Sequence, residues 1–149
     1  MKIQIISVGK LSLEIAKLSD QYQKMTNWKI KNSEIVYSKK LAPAQIKQYE
    51  AKLIQEKIAK GSFVVALDLS GKQQTSEEFS AIFSRQMMEG RDVDFIIGGA
   101  FGLDQSILNL SNAKLCLSKM TLPHKIAKLM LVEQIYRAQS ILDGHPYHK

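Results

Sequence analysis

Residues 62–99 read SFVVALDLSGKQQTSEEFSAIFSRQMMEGRDVDFIIGG, and this stretch decides the fold class. Its first ten residues are the clearest strand in the chain, an apolar, β-branched run that closes on Gly71. Thr75 followed three residues later by Glu78 has the form of a capping box, in which each side chain bonds the other residue's main-chain N–H. The helix so opened carries Phe79, Ile82, Phe83 and Met87 at helical spacing and stops at Gly90. DFIIGG is then a second strand. Strands that alternate with helices argue for a mainly parallel sheet, because parallel neighbours need a crossover connection.

Working outward, the same alternation continues in both directions. Residues 3–8, IQIISV, predict a first strand ended by Gly9, followed by a helical period at Leu11, Ile15, Leu18 and Tyr22. KIKNSEIVY at 29–37 predicts a second strand, and Pro43 a helix start whose stripe is Ile46, Tyr49, Leu53, Ile54 and Ile58, up to Gly61. Downstream come a short helix around 104–110, a fifth strand over AKLCLS (113–118), and a long helix over 123–142. That helix has its period at Ile126, Leu129, Met130, Ile135 and Ile141 and its stop at Gly144. The expectation is an α/β fold, a mainly parallel sheet with helices on both faces, built as one domain over residues 1–149.

Charge is distributed unevenly. Residues 1–60 hold 12 Lys and no Arg against 5 acids, whereas residues 61–149 balance 9 basic with 9 acidic groups, so the first segment carries the whole net charge of +7. Such a surface attracts polyanions, RNA or DNA, although solvated helix faces have the same composition. A single cysteine, Cys116, excludes an internal disulfide and cannot assemble a metal site alone, so no metal is expected. No apolar run is long enough to span a bilayer and MKIQIISVGK lacks the form of a secretion signal; the expectation is a cytoplasmic protein with no membrane partner.

In parallel sheets ligands settle beyond the carboxyl ends of the strands, which directs attention to three segments. GGAFG, with Gly98, Gly99 and Gly102, follows strand four and is either a tight strand-to-helix turn or a backbone approach to a ligand. It is neither the GxGxxG of dinucleotide folds nor a lysine-bearing phosphate loop. SKMTLPH, residues 118–124, is either a plain junction with Pro123 at a helix start or a rim for a nucleoside-like ligand, lying beside the glycine turn if strands four and five are neighbours. HPYHK, residues 145–149, concentrates two histidines and a tyrosine at a chain end, where rings can stack on bases and imidazoles can move protons. Arg137 either pairs with Glu133 one helical turn away or faces a ligand.

Taken together, IIGGAFGL, LSKMTLPHKIAKLMLVEQIYRAQSI and HPYHK closely resemble the C-terminal third of the RlmH family, and KIQIISVGK and FVVALDLSGK extend the likeness over nearly the whole chain. The resemblance implies a SPOUT-class methyltransferase: an α/β chain with a C-terminal trefoil knot, acting as a homodimer on the ribosome. It further implies S-adenosyl-L-methionine (SAM) as methyl donor and N3 of a pseudouridine in a stem-loop of 23S ribosomal RNA as acceptor. On this sequence, Leu67, Gly98, Gly99, Gly102 and the run Leu117, Ser118, Lys119, Met120, Thr121 and Leu122 match the cofactor pocket. His124, Arg137, Tyr147 and His148 match positions of RNA contact and catalysis. Phe101 stands where family members often carry a polar or acidic residue. The family also implies that the C-terminal tail docks at the cofactor pocket of the second subunit.

Overall fold

The computed structural model describes residues 1–149. Ten elements alternate along the chain: β1 (Lys2–Val8), α1 (Leu13–Met25), β2 (Lys29–Ile35), α2 (Pro43–Gln55), β3 (Phe63–Lys72), α3 (Ser76–Met88), β4 (Val93–Ile97), α4 (Gln105–Leu110), β5 (Ala113–Leu115) and α5 (His124–Leu142). All four strand pairings are parallel, in the order β2-β1-β4-β3-β5. The mainly parallel sheet expected from the alternation is therefore present, and within it β3 and β4 pair from Phe63 opposite Val93 to Leu67 opposite Ile97.

The period of two along the strands sorts side chains onto two cores. Ile3, Ile5, Val65, Val93 and Phe95 face Phe79 and Phe83 of α3 and Leu131, Val132, Ile135 and Ala138 of α5. Ile6, Val8, Val64, Ala66 and Ile96 face Ala51 and Ile54 of α2 and Ile107 of α4. Helices thus cover both faces. Phe83, fully buried, stacks on Trp28 at 4.7 Å and meets Phe79 edge-on at 5.0 Å; burial of one such side chain contributes about 2–3 kcal/mol. The capping box of α3 is formed, the Glu78 N–H donating to Thr75 Oγ1 at 3.1 Å and the Thr75 N–H to Glu78 Oε2 at 3.0 Å.

Three expectations change. β2 ends at Ile35, two residues early, where the chain leaves the sheet and the Tyr37 hydroxyl donates to Glu50 Oε1 on α2 at 2.7 Å. β5 is only Ala113–Leu115, and it pairs with β3, not β4, because β4 lies between β1 and β3. The pairing is also double: Leu115 lies opposite both Leu67 and Lys72, and the Cys116 N–H donates to the Lys72 carbonyl at 3.1 Å. Here β3 and β5 nearly touch. A Cβ on Gly71 would lie 2.6 Å from the Lys114 carbonyl carbon and 2.7 Å from the Leu115 nitrogen, so only glycine fits.

The third change concerns α5. Of the stripe read from its sequence only Ile135 is fully buried; Ile126 and Met130 remain 38% and 39% exposed, and the core is met instead by Leu131, Val132 and Ala138. The helix is apolar on two sides, and periodicity alone selected the side that the single chain leaves open. Leu18 of α1, 42% exposed, adjoins Leu129 and Met130 in the same shallow groove.

Candidate functional site

A cavity of about 740 Å³ opens at the carboxyl ends of β3, β4 and β5. That size lies within the range of small-molecule sites. Its floor is apolar and buried, with Ile97, Leu103, Leu115 and Cys116 each below 5% exposure. Leu67, Gly98, Gly99, Gly102, Leu117, Ser118, Met120, Thr121, Leu122 and His124 all line it. Although β5 is not the neighbour of β4, the glycine turn and the 117–124 segment still meet, because both leave the same end of the sheet. Lys119 is in that segment but does not line the cavity, and its side chain is exposed.

Several main-chain donors of the lining segments are unpaired, beside the polar side chains of Lys47, Asp68, Ser118, Thr121 and His124. The N–H groups of Gly98, Ala100, Phe101, Leu117, Ser118, Thr121 and Leu122 donate to no protein acceptor, whereas the Met120 N–H is taken by Ser118 Oγ at 3.0 Å. A loop leaving a short strand has no ladder to occupy its amides, so they face a ligand or solvent. The combination of an apolar floor and free amides suits a ligand with a flat ring and several acceptors.

Residues that sequence reading missed contribute as well. Lys47 of α2, Asp68 and Ala127 line the cavity. Glu50, only 4% exposed, sits behind the glycine turn, both carboxylate oxygens about 3 Å from where a Gly99 side chain would begin, and its Oε2 has no hydrogen-bond partner. The bond from Tyr37 to Glu50 pushes the phenol up to about 12, since ionisation would place two anions together. No local pattern marks a charged residue on an otherwise amphipathic helix as the buried one. At the rim His124, first residue of α5, packs on Gly9: a Cβ there would lie 2.9 Å from Nε2, a buried nitrogen without a partner.

The other site candidates form a second cluster. Glu133 Oε1 accepts from Arg137 Nε at 3.0 Å and from the Tyr147 hydroxyl at 3.0 Å. The Arg137 guanidinium lies 4.7 Å from the Tyr147 ring centroid, and its Nη1 is 3.3 Å from His148 Nδ1. His148 Nε2 is 2.8 Å from Glu77 Oε1 of α3. His148 thus bridges the Arg137 guanidinium and the Glu77 carboxylate through its two ring nitrogens. The hydrogen bond to Glu133 raises the guanidinium above its ordinary value, so Arg137 stays cationic. Burial raises the Tyr147 phenol, with Tyr22 and Glu133 adding to the effect. Of the two roles read for Arg137, the pair with Glu133 is formed.

Within one chain the two clusters stay apart. His124 and Arg137 are separated by thirteen positions of α5, about 20 Å along its axis. The tail docks on its own α3 and α5, the His145 N–H donating to the Ser140 carbonyl at 2.8 Å.

Residues 1–148 match the family described as "Predicted SPOUT methyltransferase". Full-length relatives, each covered completely and covering the chain completely, are ribosomal RNA large subunit methyltransferase H of Ruminiclostridium cellulolyticum, 41% identical, and that of Clostridium tetani, 42% identical. The chain belongs to the RlmH family of SPOUT methyltransferases. Its fold matches a probable methyltransferase from Bordetella pertussis with TM-score 0.60 at 14% identity, over 91% of this chain and 95% of that one. A probable methylase family protein from Haemophilus influenzae matches with TM-score 0.57 at 12% identity, over 99% of this chain and 70% of that one. These two likenesses concern the fold. No helix is long and apolar enough to cross a membrane.

Proposed function

We propose that residues 1–149 act as one domain that transfers the methyl group of SAM to N3 of a pseudouridine in a stem-loop of 23S ribosomal RNA, in the cytoplasm and without a metal. The observation that carries this reading is the cavity at the sheet's carboxyl edge, whose rim residue His124 begins the helix that also carries Arg137. Two lines of support bear on the acceptor. The full-length relatives are named as methyltransferases of large-subunit ribosomal RNA. The 12 lysines of residues 1–60 are also exposed or half-exposed, and none forms an ion pair, which leaves them free for phosphates.

The residues fit the donor. Leu67, Leu117 and Leu122 can enclose an adenine ring, and the amides of the 117–122 segment can bind its ring nitrogens. Bound there, SAM supplies a methyl on a sulfonium, so that an N–C bond to the acceptor forms as the S–C bond breaks. What remains for the protein is to position N3 in line and to favour release of its imide proton to solvent water. Arg137, held cationic by Glu133, stabilises the negative charge that spreads onto the flanking carbonyl oxygens. Tyr147 and His148 hold the base, and His124 contacts the RNA at the cavity rim.

Because the clusters are about 20 Å apart in one chain, the reading requires a homodimer in which each cavity receives Arg137 and the tail from a second copy. The open apolar side of α5, with Ile126 and Met130, and Leu18 of α1 give such a dimer a surface to bury. The reading includes a trefoil knot in the C-terminal third, supported by the double pairing of β5 with β3 and by the Gly71 approach.

The test is to incubate ribosomes from cells lacking this protein with labelled SAM and to map the modified nucleotide by mass spectrometry. A methyl on a 23S pseudouridine N3 is expected, and a label elsewhere or none overturns the reading. Arg137→Ala and His148→Ala should lose transfer while keeping SAM affinity; parental rates in both would refute their assignment.

A further inference from the structure

Three large apolar side chains stand exposed at the mouth of the same cavity, and each comes from a different strand end. Leu69, from the outer part of β3, is 59% exposed; Phe101, after β4, is 49% exposed; Met120, after β5, is 77% exposed. Scattered exposed apolar residues need no explanation, but three converging on one opening form a surface that water covers at a cost. Phe101 has the most specific placement. It occupies the tip of a tight turn closed by the Gly102 N–H donating to the Gly99 carbonyl at 3.0 Å, and its ring stacks on no other aromatic ring and meets no cation. A tight turn therefore presents a half-exposed aromatic ring at the opening.

We infer that Phe101, flanked by Leu69 and Met120, is the platform on which the target base of the RNA stacks. The inference rests on the methyltransferase reading above and adds to it a specificity-determining residue outside the Arg137 cluster. The cavity itself separates the two ligands. Its floor is buried apolar surface suited to a small donor, whereas its lip is exposed and so remains available to a base that enters last from a large polymer. The surrounding charge fits the same occupant: Lys47 lines the opening and Lys119 lies beside Met120, neither in an ion pair, so both are free for the phosphates flanking a splayed-out nucleotide. Thioether and leucine side chains beside a ring complete a sandwich that tolerates a flat heterocycle and gives it no polar competitor.

The test compares the parental protein with Phe101→Ala, Phe101→Leu and Phe101→Tyr, measuring methyl transfer to ribosomes from cells lacking this protein and, separately, the affinity for SAM. Loss of one base–aromatic stack corresponds to about a tenfold rise in KM for the ribosomal substrate in the alanine and leucine variants. Phe101→Tyr should restore the parental KM, because a ring and not apolar bulk is what is needed. SAM affinity should be unchanged in all three, which also shows that they fold. A matching loss of SAM affinity in Phe101→Ala would assign the lip to the donor and overturn the inference, as would an unchanged KM or full activity of Phe101→Leu. If the parental protein itself transfers no methyl to these ribosomes, the function reading fails and the inference with it.

Discussion

Lys128 Nζ lies 3.0 Å from Glu34 Oε1, yet the two ends of this ion pair are unequally covered, the lysine side chain being 2% exposed and the glutamate 31%. Ser7 Oγ, at 3.1 Å, is the only other group that Lys128 reaches. The pair ties α5 to the ends of β1 and β2, four residues beyond His124, and so fixes the rim of the cavity. The asymmetry predicts unequal costs. Glu34→Ala strands a buried ammonium and should lose about 2–4 kcal/mol of stability, whereas Lys128→Met leaves a carboxylate that water can reach and should lose about 1 kcal/mol or less. Equilibrium urea unfolding of both variants decides it, and the reverse order would refute the account.

Gly71→Ala should be far more damaging than Gly144→Ala. The first pushes a methyl group to 2.6 Å from backbone that cannot withdraw, at a cost of about 3 kcal/mol or more; the second, at φ +65° with nothing within 4 Å, costs about 1 kcal/mol. Thermal melts of the two variants are the check, and equal losses would show that the β3–β5 contact is not tight.

Thr75→Ala removes one half of the α3 capping box and should cost about 1 kcal/mol. The hydrogen bond from the Thr75 backbone, aided by Lys72, lowers the Glu78 carboxyl below its ordinary value. A depressed carboxylate contributes stability that is present above the unfolded value and is lost as pH falls through the folded one. Glu78→Gln should therefore flatten the acid limb of the stability profile; an unchanged limb would mean that the box is open in solution.

Tyr37 should ionise late. Its phenol, raised to about 12 chiefly by the bond to Glu50, contributes stability that is complete below the ordinary phenol value of 10 and is lost as pH rises through about 12. A spectroscopic alkaline titration should show this step disappear in Tyr37→Phe. Persistence of the same step would assign it to another tyrosine.

Glu133→Ala should free the tail without unfolding the protein, because the carboxylate holds both Arg137 and Tyr147. Amide exchange over residues 145–149 should accelerate while the β3 and β4 amides stay protected. Protection of the tail at the parental level would place its anchor elsewhere, at the His148–Glu77 contact.

The sequence by itself determined what depends on near neighbours. Alternating strand and helix periods, the Thr75–Glu78 box, the stops at Gly90 and Gly144 and a mainly parallel sheet were legible, because each arises within a few residues or from the alternation itself, whereas α2 ends at Gln55, well before the stop read at Gly61. The resemblance of GGAFG and LSKMTL to known motifs also brought to one cavity all but Lys119 of the cofactor-pocket residues named in advance. Only the tertiary structure decided that β5 inserts beside β3, that α5 turns Leu131 and Val132 inward while leaving Met130 out, and that Glu50 and Lys128 are buried charges. It also decided that Arg137 and the tail gather about 20 Å from His124. The physical reason is common to all of these. Each is fixed by contacts between segments remote in sequence, where strand order and the competition of two apolar helix sides for one core set the outcome and local propensity does not.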